Sequence, residues 1–255
     1  MTAVQQTEHG VRAELAGVRK SYDGVEVLRG IDLVVEPGNL VAILGQSGTG
    51  KSVTLRQLIG LERPDAGRIA VGGIPIEQYV AMDPDAKPFR IAMVFQSAAL
   101  LASLTVAENV SLRLREHGHL PAREIADITR RVLEQVELAG CEDKYPTELS
   151  GGMRKRAAIA RALAVDPELI LYDEPTADLD PILTEQIGSL IARIRETRGS
   201  TQVFVTHNVP LARTICDRIA VLDAGRIAEY VTPEELLASR HPLTREMLRA
   251  AGLVH

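Results

Sequence analysis

An α/β fold is what the sequence predicts, and three observations carry the prediction. Leu40-Val41-Ala42-Ile43-Leu44 is an apolar, strand-like run that feeds Gly45-Gln46-Ser47-Gly48-Thr49-Gly50-Lys51-Ser52, and residues 53–59 then read as a helix. Further apolar runs at 91–95, 169–172 and 201–206 each end on polar side chains, as buried strands do where they emerge into loops. Between the first and second of these, residues 97–144 lose the strand pattern and turn helical.

The opening third is β-rich. Residues 11–18 alternate loosely as a strand, Ser21-Tyr22-Asp23-Gly24 is a turn, and 25–28 and 31–35 are two further short strands. Glu36-Pro37-Gly38-Asn39 closes them before the apolar run at 40–44. Tyr22 stands at about the distance from the glycine-rich loop at which a base-stacking ring is carried, although taken alone it reads as a strand or turn tyrosine. After the first helix, residues 68–71 form another strand, and 75–88, broken by prolines and acids, read as loop with one short helix.

Helices are predicted over 106–116 and 122–138, the second with Ile125, Ile128, Val132, Leu133 and Val136 on one face. Ser150 is placed to cap a basic helix that Gly151, Gly152 and Met153 open, and it is followed by Arg154-Lys155-Arg156. Two readings of that helix stay open: a solvated basic face, or a second anion site at the positive end of the helix dipole. A helix over 181–198, a strand over 201–206, a hairpin over 218–229 and a capping box at Thr232-Pro233-Glu234-Glu235 complete the pattern. The tail from 241 to 255 is amphipathic at best.

Composition sets the bounds on function. The 255 residues are 45% hydrophobic and 25% charged, enough for one large core or two modest ones. A net charge of -5 supplies no global basic field for nucleic acid. Cys141 and Cys216 are far apart and belong to no metal-binding spacing, so idle thiols in a reducing compartment are expected. Residues 1–10 hold no apolar signal core, and no apolar run approaches the ~18 to 20 residues of a membrane span. A role at a membrane would need another chain to cross it.

The chemistry concentrates in residues 45–52. Their glycines let several backbone NH groups turn toward one anion, and the helix that follows adds the partial charge of its N-terminus. Lys51 supplies a point charge for outer phosphates, and the Ser52 hydroxyl suits a magnesium ion. Every fixed position of the P-loop pattern is present. Asp173 and Glu174, adjacent acids at a strand tip, need a cation or a held water for company; Asp173 suits the metal and Glu174 an attacking water. Gln96 and His207 end strands in the same way, so three polar tips on one sheet edge suggest one site.

In this order the motifs resemble the ATPase subunit of ATP-binding cassette (ABC) transporters, over residues 11–229. The P-loop 45–52, a Q-loop at Gln96, the signature Leu149-Ser150-Gly151-Gly152-Met153, a Walker B strand ending Asp173-Glu174, a D-loop at 177–180 and a switch His207 carry the resemblance. It implies a P-loop NTPase (RecA-like) core with an N-terminal antiparallel β subdomain and an inserted α-helical signature subdomain at about 97–155. One ABC ATPase domain would span 11–230, with a C-terminal helical tail at 231–255. The resemblance implies ATP and Mg2+ as ligands, held by Tyr22 as the adenine-stacking ring, by Gly45, Gln46, Ser47, Gly48, Thr49, Gly50, Lys51, Ser52 and Val53, and by Gln96. Ser150, Gly151 and Gly152 would cover the nucleotide of a second copy. Ser52, Gln96 and Asp173 would face the metal, Glu174 would be the catalytic base, and His207, Gln96 and Lys51 would complete the catalytic set.

Where the commonest signature ends in Gln, this one ends in Met153, and Ala177-Asp178 and Gln46 are smaller departures. Ser-Gly-Gly-Met-Arg-Lys-Arg beside Phe95-Gln96-Ser97-Ala98-Ala99-Leu100 and 104–110 most resembles the ATPases of Mla/Mce-type lipid-transport systems of bacterial envelopes. The implied partners are a second copy in an ATP-dependent dimer, integral membrane permease subunits and, through the permease, a lipid-binding Mce-type subunit, with no nucleic acid. The implied place is peripheral, on the cytoplasmic face of the inner (plasma) membrane. An importer for another small substrate and a non-transport ABC ATPase, acting on ribosomes, DNA or metal clusters, are the alternatives.

Overall fold

A computed structural model describes residues 9–116 and 120–254. The chain runs β1 (Ala13–Tyr22), β2 (Val25–Val35), β3 (Leu40–Leu44), α1 (Lys51–Leu58), β4 (Ala66–Val71), β5 (Ile74–Pro75), α2 (Ile76–Ala81) and β6 (Ile91–Val94). It continues through α3 (Val106–Glu116), α4 (Ala122–Gln135), α5 (Gly151–Leu163), β7 (Leu169–Asp173), α6 (Pro181–Arg198), β8 (Thr201–Thr206) and α7 (Val209–Ile215). The hairpin β9 (Arg218–Asp223) and β10 (Arg226–Val231) leads to α8 (Pro233–Leu237) and α9 (Pro242–Ala250).

Two sheets result. The strands β2-β1-β4-β5 form an antiparallel sheet, and β10-β9-β3-β8-β7-β6 form a second sheet that is parallel except at its β10 edge. Strands β3, β6 and β7 of the second sheet are apolar at nearly every position because both faces are covered. Alternate side chains divide between two cores, as a two-residue period requires. Leu40, Ala42, Leu44, Ile170, Tyr172 and Phe204 enter the core under α3 to α9, whereas Val41, Ile43, Leu169, Leu171, Val203 and Val205 enter the core shared with α1 and the antiparallel sheet. The carboxyl ends of β3, β6, β7 and β8 therefore emerge together, where open α/β sheets bind ligands.

Several expectations are corrected. The two short strands at 25–28 and 31–35 are one strand, bent at Gly30, where φ is 94°. The first strand runs on to Tyr22, so Ser21 and Tyr22 are strand residues and only Asp23-Gly24 turn. The helix predicted to reach 138 ends at Gln135. Helix α5, which opens near the end of the expected insertion, runs unbroken from Gly151 to Leu163. The tail is more than amphipathic: Leu236, Leu243 and Leu248 are buried in the larger core, each worth about 2 kcal/mol. Glu229 on β10 accepts from the hydroxyls of Ser239, just after α8, and Thr244 of α9, which fastens this end of the chain to the sheet. Residues 231–254 are thus packed on the main body. Residues 1–8, where a signal core was sought, lie outside the described residues.

Candidate functional site

The loop after β3 folds as its glycines permit. At Gly45 a Cβ would lie 2.6 Å from the Leu222 carbonyl oxygen, and at Gly50, with φ at 101°, it would lie 2.6 Å from Leu28 Cδ2. At Gly48, with φ at 79°, it would meet nothing within 4 Å, so the backbone there borders open space. Lys51 begins α1 and its side chain, buried to 6% exposure, folds back so that Nζ donates to the carbonyls of Gly45 and Gln46, both at 2.9 Å. Thr49 Oγ1 donates to the Gln46 carbonyl at 2.9 Å, and no side chain caps α1. A lysine-closed loop with uncapped helix NH groups is a concave cradle for an anion.

Facing it is the tip of β7. Asp173 is buried and accepts from Ser52 Oγ at 2.7 Å. Glu174 leaves the strand in the left-handed region, φ 45°, its NH donating to the Val205 carbonyl at 3.0 Å. A non-glycine residue held there stores strain, and such residues gather at functional sites. Glu174 Oε1 stands 3.8 Å from Lys51 Nζ and Oε2 stands 2.9 Å from His207 Nδ1 at the tip of β8. Burial holds the Lys51 ammonium below the ordinary lysine range, while Glu174 and Asp173 oppose that shift.

One cleft of about 460 Å³ gathers Tyr22, Ser47, Gly48, Gly50, Lys51, Ser52, Val53, Gln96, Glu174 and His207. The three polar strand tips do converge on one site. Gly45, Gln46 and Thr49 build the loop beneath it, and Asp173 reaches it through Ser52. Ala177 of the expected D-loop also lines the cleft, and so does Val27, which was not anticipated; Val27 is carried in by the short turn after Tyr22, which only the register of β1 on β2 reveals. Ser150, Gly151 and Gly152 do not line it.

The donor set suits magnesium. Ser52 and Asp173 offer the oxygen atoms that this hard cation prefers, and among the described residues no group of three His, Cys, Asp or Glu side chains forms a full protein cage. Remaining ligands would come from phosphates and water, as is usual for this ion.

At the start of α5 Ser150 Oγ accepts from the Met153 NH at 3.3 Å, the cap the sequence predicted. The basic face of that helix is only partly solvated: Arg154 is exposed and Arg156 half-buried. Lys155, 7% exposed, donates to the Gln96 carbonyl, and Arg161 donates to the carbonyls of Ala99 at 2.6 Å and Ala98 at 2.9 Å. Both alanines sit at positive φ, 63° and 47°. Two cations of α5 therefore clamp the segment that carries Gln96.

Residues 28–177 match the family model described as ABC transporter. The chain belongs to the ABC transporter ATP-binding family. It is a transporter ATPase subunit that binds ATP with magnesium and hydrolyses it. Over 239 residues it is 40% identical to the probable ribonucleotide transport ATP-binding protein mkl of Mycobacterium leprae, covering 94% of this chain and 69% of that protein. The methionine import ATP-binding protein MetN of Caulobacter vibrioides is 42% identical over 227 residues, 88% of this chain and 68% of that one. Among solved structures, the ATP-binding cassette MJ0796, in a dimeric post-hydrolysis state bound to ADP and Pi, superposes with a TM-score of 0.77 at 33% identity, over 87% of this chain and 98% of that one. The cbiO1 subunit of Clostridium perfringens gives 0.80 at 29% identity, over 94% of each chain. No described helix of the cassette is long and apolar enough to cross a membrane.

Proposed function

We propose that this cassette drives lipid transport through a separate permease, working as a dimer whose two nucleotide sites are each built from both copies. The observation that carries the motor part of the reading is the cleft itself: a lysine-closed cradle, a hydroxyl-carboxylate pair and a strained Glu174 braced by His207. In this reading Tyr22 stacks on the adenine, Lys51 and the NH groups of 45–53 hold the phosphates, and Ser52 and Asp173 hold magnesium with Gln96 beside it. The ion supplies, when bound, a Lewis acid that stabilises charge on the phosphoryl oxygens. Glu174 orients the attacking water and takes its proton, and His207, expected to contact the γ-phosphate, also stands 2.9 Å from the Glu174 carboxylate.

The dimer follows from what one copy lacks. Ser150, Gly151 and Gly152 expose a helix N-terminus that lies outside their own cleft, so they serve as the cover for a neighbour's nucleotide. A mixture of Lys51→Ala and Ser150→Arg chains then forms one intact site per heterodimer. Absence of any ATP-bound heterodimer refutes the shared site.

Support for lipid as cargo comes from Met153 at the end of the signature and from the segment after Gln96. A second reading, import of a small polar solute, draws on relatives named for methionine and ferric ion import and for ribonucleotide transport. The permease contact proposed on the cytoplasmic face is Leu101, 47% exposed, with Leu100 and Leu104 half-buried behind it. Purification of the complex from its native membrane, followed by mass spectrometry of co-purified lipid and ATPase assays with added phospholipid, methionine or nucleoside, separates the readings. Phospholipid stimulation supports the lipid motor, and stimulation by a polar solute alone overturns it. Leu101→Glu is expected to leave ATP binding intact and to release the permease.

A further inference from the structure

Tyr22 ends β1 and is 38% exposed at the rim of the cleft, next to the turn Asp23-Gly24. A ring so placed, unless held, samples several rotamers, and ordering it on binding weakens affinity. It is held. Its hydroxyl donates a short hydrogen bond to Glu62, and the other oxygen of Glu62 accepts from Arg56 Nε at 2.5 Å. Arg56 lies on the last turn of α1, the helix that begins with Lys51. The Glu62 NH returns to the Arg56 carbonyl at 3.3 Å, which fixes the segment bearing the carboxylate. On the strand side, Lys20 Nζ donates to Asp65 at 3.0 Å and to the Arg63 carbonyl at 2.9 Å, and Asp65 accepts from the Ser21 NH at 2.7 Å.

We propose that Glu62, held by Arg56, is a positioning residue for nucleotide binding: it locks the Tyr22 ring at a set distance and tilt from the phosphate cradle. The proposal rests on the reading of Tyr22 as the adenine-stacking ring. One short helix supplies both fixed points, the phosphate lysine at its first turn and the arginine that anchors the ring at its last. Stacking tolerates any base, so the lock acts on affinity for nucleotides as a class and leaves the chemistry at Glu174 untouched. A simple surface ion pair between Arg56 and Glu62 would affect neither.

The test uses the full chain, with ATPase kinetics, ATP binding by calorimetry and inorganic tripolyphosphate as a base-free probe. Glu62→Ala and Tyr22→Phe are each expected to raise KM for ATP about three- to tenfold at unchanged kcat, with tripolyphosphate binding unaltered. Combining them should do no more than either alone, because both break one link. Glu62→Gln, whose amide oxygen still accepts from the Tyr22 hydroxyl, should recover part of the loss. If Tyr22→Ala weakens ATP while Glu62→Ala does not, the positioning role is overturned and stacking stands. If Tyr22→Ala leaves ATP affinity unchanged, the stacking reading falls and takes this proposal with it. Equal loss of ATP and tripolyphosphate binding in Glu62→Ala would show a merely structural role and also overturn it.

Discussion

Replacing Arg161 by alanine tests whether the clamp between α5 and the Gln96 segment is a stabilising feature of this cassette. The substitution removes two charge-assisted hydrogen bonds, at 2.6 and 2.9 Å, to consecutive carbonyls. The Ala99 residue is exposed and its carbonyl can take water instead, whereas Ala98 is 3% exposed and its carbonyl is left without that donor. Leaving a buried acceptor unpaired costs about 1–3 kcal/mol, and the rehydrated one adds about 1 kcal/mol. The sum, about 2–4 kcal/mol, lowers Tm by roughly 5–15 °C for a domain of this size. Arg161→Lys keeps the charge but not the fork, so it should fall between the two. With Gln96 held only by Lys155, kcat should drop about tenfold or more, since small misplacements near reacting groups cost up to about a hundredfold. ATP binding, made by 45–53, should change little. Differential scanning fluorimetry beside steady-state ATPase assays reads both effects. A Tm within about 2 °C of the parent would refute the clamp as a stabilising feature.

Other expectations are quickly checked. Glu174→Gln should lower kcat by about a hundredfold or more while ATP still binds and holds the dimer, and wild-type turnover would reject Glu174 as the base. Lys51→Ala should instead weaken ATP binding itself, which calorimetry reads directly. Burial pushes the Cys216 thiol far up, so iodoacetamide at pH 8 should label Cys141 first and reach Cys216 only in denaturant; peptide mass spectrometry decides. Burial works against the Glu62 charge, yet the Tyr22 hydroxyl and Arg56 bring its pKa below the ordinary 4.5. Its contribution to stability is therefore present above pH 4.5 and lost as pH falls through the lower folded value, so acid titration should flatten in Glu62→Ala.

Local chemistry was the legible part of this chain. Helices α3 and α6 and strand β8 begin and end where periodicity and capping residues placed them, and the loop 45–52 announced its cradle through its glycines, Lys51 and Ser52 between a strand and a helix. Tertiary facts were less visible. Residues 25–28 and 31–35 read as two strands, but the long antiparallel partner β1 carries one strand across Gly30 with a shift in register. Residues 241–254 looked weakly amphipathic because the small face that matters, Leu243 and Leu248, finds its core only after β10 and α8 bring it there. Cationic density at 154–161 read as solvated or anion-binding, since nothing local reveals that carbonyls 96, 98 and 99 are presented to it across the fold.

That last contact bears on how two copies would work together. The first turn of α5 carries Ser150, Gly151 and Gly152, which lie outside their own cleft, and its middle holds Gln96, which lines it. Under the proposed dimer, one helix therefore touches a neighbour's nucleotide at its end and reports its own nucleotide through its side. Ala98 and Ala99 at positive φ keep the clamped segment in a conformation that alanine does not favour, so the contacts from α5 hold it against backbone strain. Under that dimer a small displacement at one site is expected to reach the other through this helix, because packed elements move between discrete arrangements and do not deform smoothly. Severing the clamp should therefore uncouple the two sites of a dimer before it unfolds either copy.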